Sequence, residues 1–209
     1  MKRPILINVI TVIFLFLTYG CAKKLGTDIP IDIDSSTPGG TVTLHGEKVR
    51  LTGTPLRIGA ALPATALIDA FTMAKVDLSQ LRGKVLILSL VPSLDTKVCE
   101  TQTHHLGEMG ARLPADIARI TISRDTPFAQ KRFAEEANLK GITYLSDYRD
   151  GSFGRSTGLL QEESMLLARA VIIVDKNGIV RYIQVVPELS HLPDMEVALR
   201  KAKDIYAGS

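Results

Sequence analysis

One cysteine lies in the part of this chain that reads as folded, and its neighbours are those of a reactive thiol. Cys99 follows Val85–Val91, a short uncharged run rich in valine, leucine and isoleucine that suits a strand buried on both faces. Pro92 cannot donate to a ladder, so it marks where that strand ends. From Thr96 onward Val98, Leu106, Met109 and Leu113 step at helical spacing, which puts Cys99 in the first turn of a helix leaving the strand's carboxyl end. Unpaired N–H groups in such a turn carry partial positive charge and favour an anion, drawing a thiol toward its nucleophilic thiolate. Thr96 is three residues earlier, so its hydroxyl is expected beside the sulfur. Arg169, in Leu166-Leu167-Ala168-Arg169-Ala170-Val171, is an unexpected charge at the head of an apolar strand. A guanidinium there would stabilise both a thiolate and an anion developing on a leaving atom.

The elements that must position these residues alternate. Thr41–His45 and Lys48–Leu51 read as a hairpin around Gly46-Glu47. Leu67–Val76 holds one or two short strands and Leu78–Arg82 a helical turn. After the central strand and the Cys99 helix come a strand over Ile117–Ser123 and a helix over Pro127–Asn138, whose proline opens it at no cost in hydrogen bonds. A short strand over Ile142–Leu145 and a short helix over Ser152–Thr157 follow. Ala170–Asp175 and Ile179–Val186 form strands joined through Asn177-Gly178, and Pro193–Ala207 closes the chain as an amphipathic helix. This order predicts an α/β domain over residues 41–209, with a central mixed β-sheet flanked by helices and an N-terminal β-hairpin. Strand and helix alternating around a cysteine at a strand's end is the thioredoxin-like arrangement.

Thiol chemistry on a peroxide needs a thiolate, an O–O bond held in line with it, and a charge to receive the departing oxygen. At these residues the chain resembles the peroxiredoxins, whose signature Pro-x-x-x-Thr-x-x-Cys stands here as Pro92, Thr96 and Cys99. It is most similar to their thiol peroxidase branch. Three blocks occur in that branch's order and at about its spacing: Val91–Cys99, Ser123-Arg-Asp-Thr-Pro-Phe-Ala-Gln-Lys-Arg-Phe133, and Leu167-Ala-Arg-Ala170. The likeness covers roughly residues 41–206. It implies a sulfenate formed at Cys99, with Thr96 and Arg169 orienting and polarising a hydroperoxide and Pro92 walling the site. It also implies a homodimer, as is common in the branch. Members usually carry a resolving cysteine directly after the Arg-Phe of the second block, whereas Arg132-Phe133 is followed here by Ala134. The second of the chain's two cysteines is Cys21. Recycling of Cys99 therefore calls for an external thiol, either a thioredoxin-like protein or a low-molecular-weight thiol.

The amino terminus reads as an export signal. Lys2 and Arg3 precede Ile5–Leu17, an apolar stretch too short for a comfortable span, and Leu17-Thr-Tyr-Gly-Cys21 resembles the bacterial lipoprotein cleavage box. Residues 1–20 are then a signal peptide and Cys21 the lipidated first residue of the mature chain. Residues 21–40, with Pro30, Ser35, Ser36, Pro38, Gly39 and Gly40, read as a loose tether. The expected location is on a bacterial membrane, on its periplasmic or cell-surface side. Formal charge is +3 with no long basic run, which argues against nucleic acid as a partner.

Other readings of the same residues differ in what they predict. Cys99 could be a small buried hydrophobe, Thr96 only a helix cap, and Arg169 a structural partner of Asp147, Asp150 or Glu163. His104 and His105 follow Cys99 at offsets that turn them well away from it on a helix, so no metal site or cofactor is expected. Sulfenylation without turnover would make the chain a peroxide sensor. A thiol–disulfide oxidoreductase would want the Cys-x-x-Cys that is absent.

Overall fold

The structure, a computed structural model, describes residues 29–208. The chain runs through β1 (Ile31–Asp32), β2 (Thr41–Leu44), β3 (Glu47–Thr52), β4 (Ala66–Asp69), β5 (Lys75–Asp77) and β6 (Val85–Leu90) to α1 (Lys97–Glu108). It continues with β7 (Ile117–Ser123), α2 (Pro127–Ala137), β8 (Ile142–Ser146), α3 (Ser152–Thr157) and β9 (Leu160–Gln161). The last elements are β10 (Ala170–Val174), β11 (Val180–Val185), β12 (Leu192–Pro193) and α4 (Met195–Ala207). A seven-stranded sheet in the order β11-β10-β6-β7-β8-β4-β5 forms the centre. β6, β7 and β8 are parallel, while β10 on one side and β4 on the other pair antiparallel to that group. This is the mixed α/β sheet that the element order predicts.

All six residues of β6 are buried, and they alternate between two cores. Leu86, Leu88 and Leu90 join Ile120, Ile122, Ile172 and Phe153 of α3 on one face. Val85 and Ile87 join Leu106 of α1 and Met195, Ala198, Leu199 and Ala202 of α4 on the other. Each such aliphatic side chain contributes about 1.5–3 kcal/mol relative to exposure. Because the side-chain period of a strand is two, β6 cannot slip by one residue without exchanging both cores at once. The strand that carries the cysteine's helix is therefore firmly registered, as is its neighbour β10, whose residues alternate between the same two cores.

The hairpin forms one residue earlier than the sequence pattern places it. Leu44 pairs with Glu47, so the turn is His45-Gly46, and both residues have positive φ, 52° and 83°. Such a pair defines the type I′ turn that matches strand twist, with Gly46 supplying the second position freely. The hairpin continues through β9, with Leu51 opposite Gln161. β9, β1 and β12 are two residues each, too short to leave a periodic signal.

The tether is the larger correction. Cys21, the signal peptide and residues 21–28 lie outside the described residues. From Ile31 onward, however, the stretch read as loose chain is bonded to the domain. Ile31 and Asp32 pair in parallel with Leu192 and Pro193, and Ser36 N–H donates to Val185 O at 2.8 Å. Gln184 Nε2 donates to Asp32 O, and Ser35 Oγ accepts from Val185 N–H. Serine, proline and aspartate are common in linkers, but these residues find specific acceptors and donors at the end of β11.

Candidate active site

Cys99 is the third residue of α1, with Thr96 at the N-cap in extended backbone conformation. The thiol is completely buried. Arg169, which immediately precedes β10, is 2% exposed and aims three donors at three different acceptors. Its Nε donates to Leu189 O at 2.9 Å, its Nη1 to Gln102 Oε1 at 2.8 Å, and its Nη2 to Cys99 Sγ at 3.4 Å. Among the described residues no carboxylate pairs with this guanidinium. Asp147 instead accepts the Phe153 and Gly154 N–H groups at the start of α3, and Asp150 serves Ser152 and Arg155. Buried charges are ordinarily paired. Here neutral acceptors fix the direction of the cation and leave its charge uncancelled, available to an anion at the sulfur or at an oxygen leaving it.

Gln102 was not singled out by the sequence pattern and proves central. It lies one turn beyond Cys99 on the same helix face and is fully buried. Its Oε1 takes Arg169, and its Nε2 donates to Ser89 Oγ at 2.8 Å and Leu90 O at 3.3 Å. Ser89 is the one polar residue of β6, so the sheet itself orients the amide. A buried glutamine three positions after the cysteine was the available signal.

The loop between β6 and α1 is held by Asp125. Its carboxylate accepts from Ser93 Oγ, Leu94 N–H and Ser123 Oγ, each at 2.7 Å. That fixes Pro92 and Ser93 at the mouth of a cavity of about 300 Å³, which Thr96, Val98, Arg169, Leu189 and the hairpin residues Leu44 and His45 also line. The structure thus brings Pro92, Thr96 and Arg169 to one cavity; Cys99 does not line it and is joined to it through Arg169 Nη2. Thr96 differs in detail from expectation: its hydroxyl donates to Ser93 O at 3.0 Å, and it makes no side-chain cap bond. A hydroxyl that donates to a carbonyl still offers lone pairs toward the cavity it lines.

The histidines sit elsewhere. His104 meets Glu108 at 3.0 Å. His105 faces a groove with Met109, Ile31 and Ile33, and partial burial, opposed by Glu108 and assisted by His104, lowers its pKa. Ala134, after the Arg132-Phe133 pair, is buried in the same apolar cluster as Cys99, Phe133 and Tyr144. Burial pushes the Tyr144 phenol up to about 12, so it stays neutral at ordinary pH.

Residues 57–199 match the redoxin family model. The chain is 39% identical over 163 residues to a thiol peroxidase of Halalkalibacterium halodurans, covering 78% of this chain and 97% of that one. It is 37% identical over 162 residues to the thiol peroxidase of Bacillus subtilis, covering 78% and 96%. Among solved structures, a peroxiredoxin-like protein from Aquifex aeolicus superposes with a TM-score of 0.74 at 36% identity, over 79% of this chain and 96% of that one. The chain belongs to the redoxin family, in the thiol peroxidase branch of the peroxiredoxins.

Proposed function

We propose that this chain reduces hydrogen peroxide and organic hydroperoxides with electrons from an external thiol, through a sulfenate on Cys99. The sulfur of Cys99, as thiolate, attacks the distal oxygen of the hydroperoxide. The S–O bond forms as the O–O bond breaks, the alkoxide or hydroxide leaves and takes up a proton, and Cys99 becomes a sulfenic acid. An external thiol then condenses with the sulfenic acid, releasing water and leaving a mixed disulfide. A second thiol resolves that disulfide and returns Cys99. Thr96 would orient the peroxide, and Pro92 would wall the site from bulk water.

The observation that carries this reading is the Arg169 guanidinium, buried without a carboxylate and directed at Cys99 Sγ. Such a preset cation stabilises the oxygen that departs with negative charge, the largest single term in most comparable reactions. The external donor is supported by Ala134, which follows Arg132-Phe133, and by the absence of a second cysteine among the described residues. The test is one equivalent of cumene hydroperoxide added to the reduced protein and to Cys99→Ser, following peroxide loss and sulfenate together. Stoichiometric loss that the variant lacks supports the reading, and equal loss in both proteins overturns it. Turnover should then require an added thiol.

Export and lipid attachment at Cys21 belong to the same proposal, supported by the basic start, the apolar stretch and Gly20-Cys21. Labelled palmitate incorporated by the wild type but not by Cys21→Ser would be the expected result; equal labelling would sink it. A homodimer is expected on family grounds, and sedimentation of the purified protein decides it.

A further inference from the structure

The β2–β3 hairpin forms one wall of the cavity beside Arg169, yet it is an excursion from the chain, remote in sequence from the other walls. Its attachment centres on one side chain. The Glu188 carboxylate accepts five hydrogen bonds: from Thr43 Oγ1 at 2.7 Å, His45 N–H at 2.9 Å, Gly46 N–H at 3.2 Å, Ser190 N–H at 3.1 Å and Ser190 Oγ at 2.7 Å. Three of those donors belong to the hairpin and two to the segment that carries Glu188. The type I′ turn explains the fit. Positive φ at His45 and Gly46 turns two successive N–H groups to one side, making a small anion-binding concavity. Glu188 fills that concavity with an anion from the protein itself. The surrounding backbone adds two more links, Thr43 N–H to Pro187 O and Leu189 N–H to Thr43 O, each at 2.7 Å. Leu189 O in turn receives Arg169 Nε. The hairpin, Glu188, Leu189 and Arg169 therefore form one continuous set of bonds ending at Cys99.

We propose that Glu188 is a positioning residue that holds Leu44 and His45 over the cavity and so sets the enzyme's discrimination between bulky apolar hydroperoxides and hydrogen peroxide. The proposal rests on the reading that hydroperoxides dock in the cavity beside Arg169. A cumyl group is wide enough to use the apolar wall that Leu44 completes, whereas hydrogen peroxide needs only the Arg169 end. The low pKa of Glu188 agrees with the geometry. Partial burial works against its charge, but the bonds from Ser190, Thr43 and His45 outweigh that and hold it well below the ordinary carboxylate range.

The test compares kcat and KM for cumene hydroperoxide and hydrogen peroxide in the full chain and in Glu188→Ala, Glu188→Gln and Thr43→Val, each checked for folding by circular dichroism. In Glu188→Ala, the ratio of kcat/KM for cumene hydroperoxide to that for hydrogen peroxide should fall about tenfold, mostly through KM, which is the scale of a lost apolar contact in a pocket. Glu188→Gln keeps an acceptor for the His45 amide and should recover part of that ratio. Thr43→Val removes one bond from the hairpin side and should shift the ratio the same way by less. Should Glu188→Ala not fold, the other two variants decide by the same criterion. An unchanged ratio in folded variants overturns the role of Glu188 while Cys99→Ser is inactive; an active Cys99→Ser would instead overturn the underlying site reading.

Discussion

Arg169 and Glu188 belong to one set of hydrogen bonds and are satisfied in opposite ways. The guanidinium is almost wholly enclosed, donates to a backbone carbonyl, a glutamine amide and a thiol, and meets no carboxylate among the described residues. The carboxylate is partly open to solvent and takes five donors, leaving little of its accepting capacity unused. One charge is aimed but not neutralised, the arrangement required of a group that must meet charge formed during a reaction. The other is absorbed into shape. The same pair of residue types, salt-bridged to each other, would have served neither purpose.

The contrast can be broken most severely at Arg169. Replacing it with methionine keeps volume but removes the cation, and kcat/KM for any hydroperoxide should fall on the order of 10²–10³-fold, the cost of losing one transition-state donor. Arg169→Lys should recover little of this, because a point charge cannot hold Leu189 O, Gln102 Oε1 and the sulfur at once. Stopped-flow peroxide consumption measures both, and a lysine variant near wild type would mean that charge alone, not direction, is what matters. Gln102→Leu comes next. It leaves the charge and removes only its guide, so a loss of roughly tenfold in kcat/KM is expected, the scale of one hydrogen bond to a charged group. Both substrates should suffer equally, which separates this effect from the selectivity assigned to Glu188.

The mildest test is acid. Because the folded pKa of Glu188 lies below its ordinary value, the stability that its bonds contribute is fully present above the normal glutamate range and is lost progressively as pH falls from there through the depressed value. Hydrogen-exchange protection of the His45 and Gly46 amides, corrected for intrinsic rates, should therefore stay level from about pH 8 to about pH 5 and decline only below ordinary carboxylate pKa values. Loss near neutrality would mean that another group holds the turn.

These two charges also mark how far the sequence could be read. Pro92, Thr96 and Cys99 lie within eight residues on a strand-to-helix junction, where period and spacing carry the geometry. Arg169 announced itself as a charge in an apolar run. Even so, its acceptors were not legible: the expected carboxylates at Asp147 and Asp150 accept backbone N–H groups of α3, and Gln102 holds it instead. Glu188 left no trace at all. It sits on a loop without periodicity and meets Thr43 across 145 positions, a contact that only the closed fold creates. The hairpin shifted by one residue for a related reason, since His45 accepts positive φ that its composition does not advertise. The thiol and its junction are local in sequence, whereas the cation that meets the thiol and the shape of the pocket are brought in from far apart.

The pairing of β1 with β12 moves the edge of the folding unit. A cut at Thr41, where composition places the start of the domain, would strip Gln184 Nε2 of its two acceptors, Asp32 O and Asp34 O, and His191 of the Asp32 carboxylate. It would also free the Glu188 N–H that Asp32 Oδ2 now receives. The smallest piece of this chain able to keep the pocket's corner intact therefore begins near residue 30, and a shortened protein judged inactive from a later start would report on a missing strap rather than on a missing catalyst.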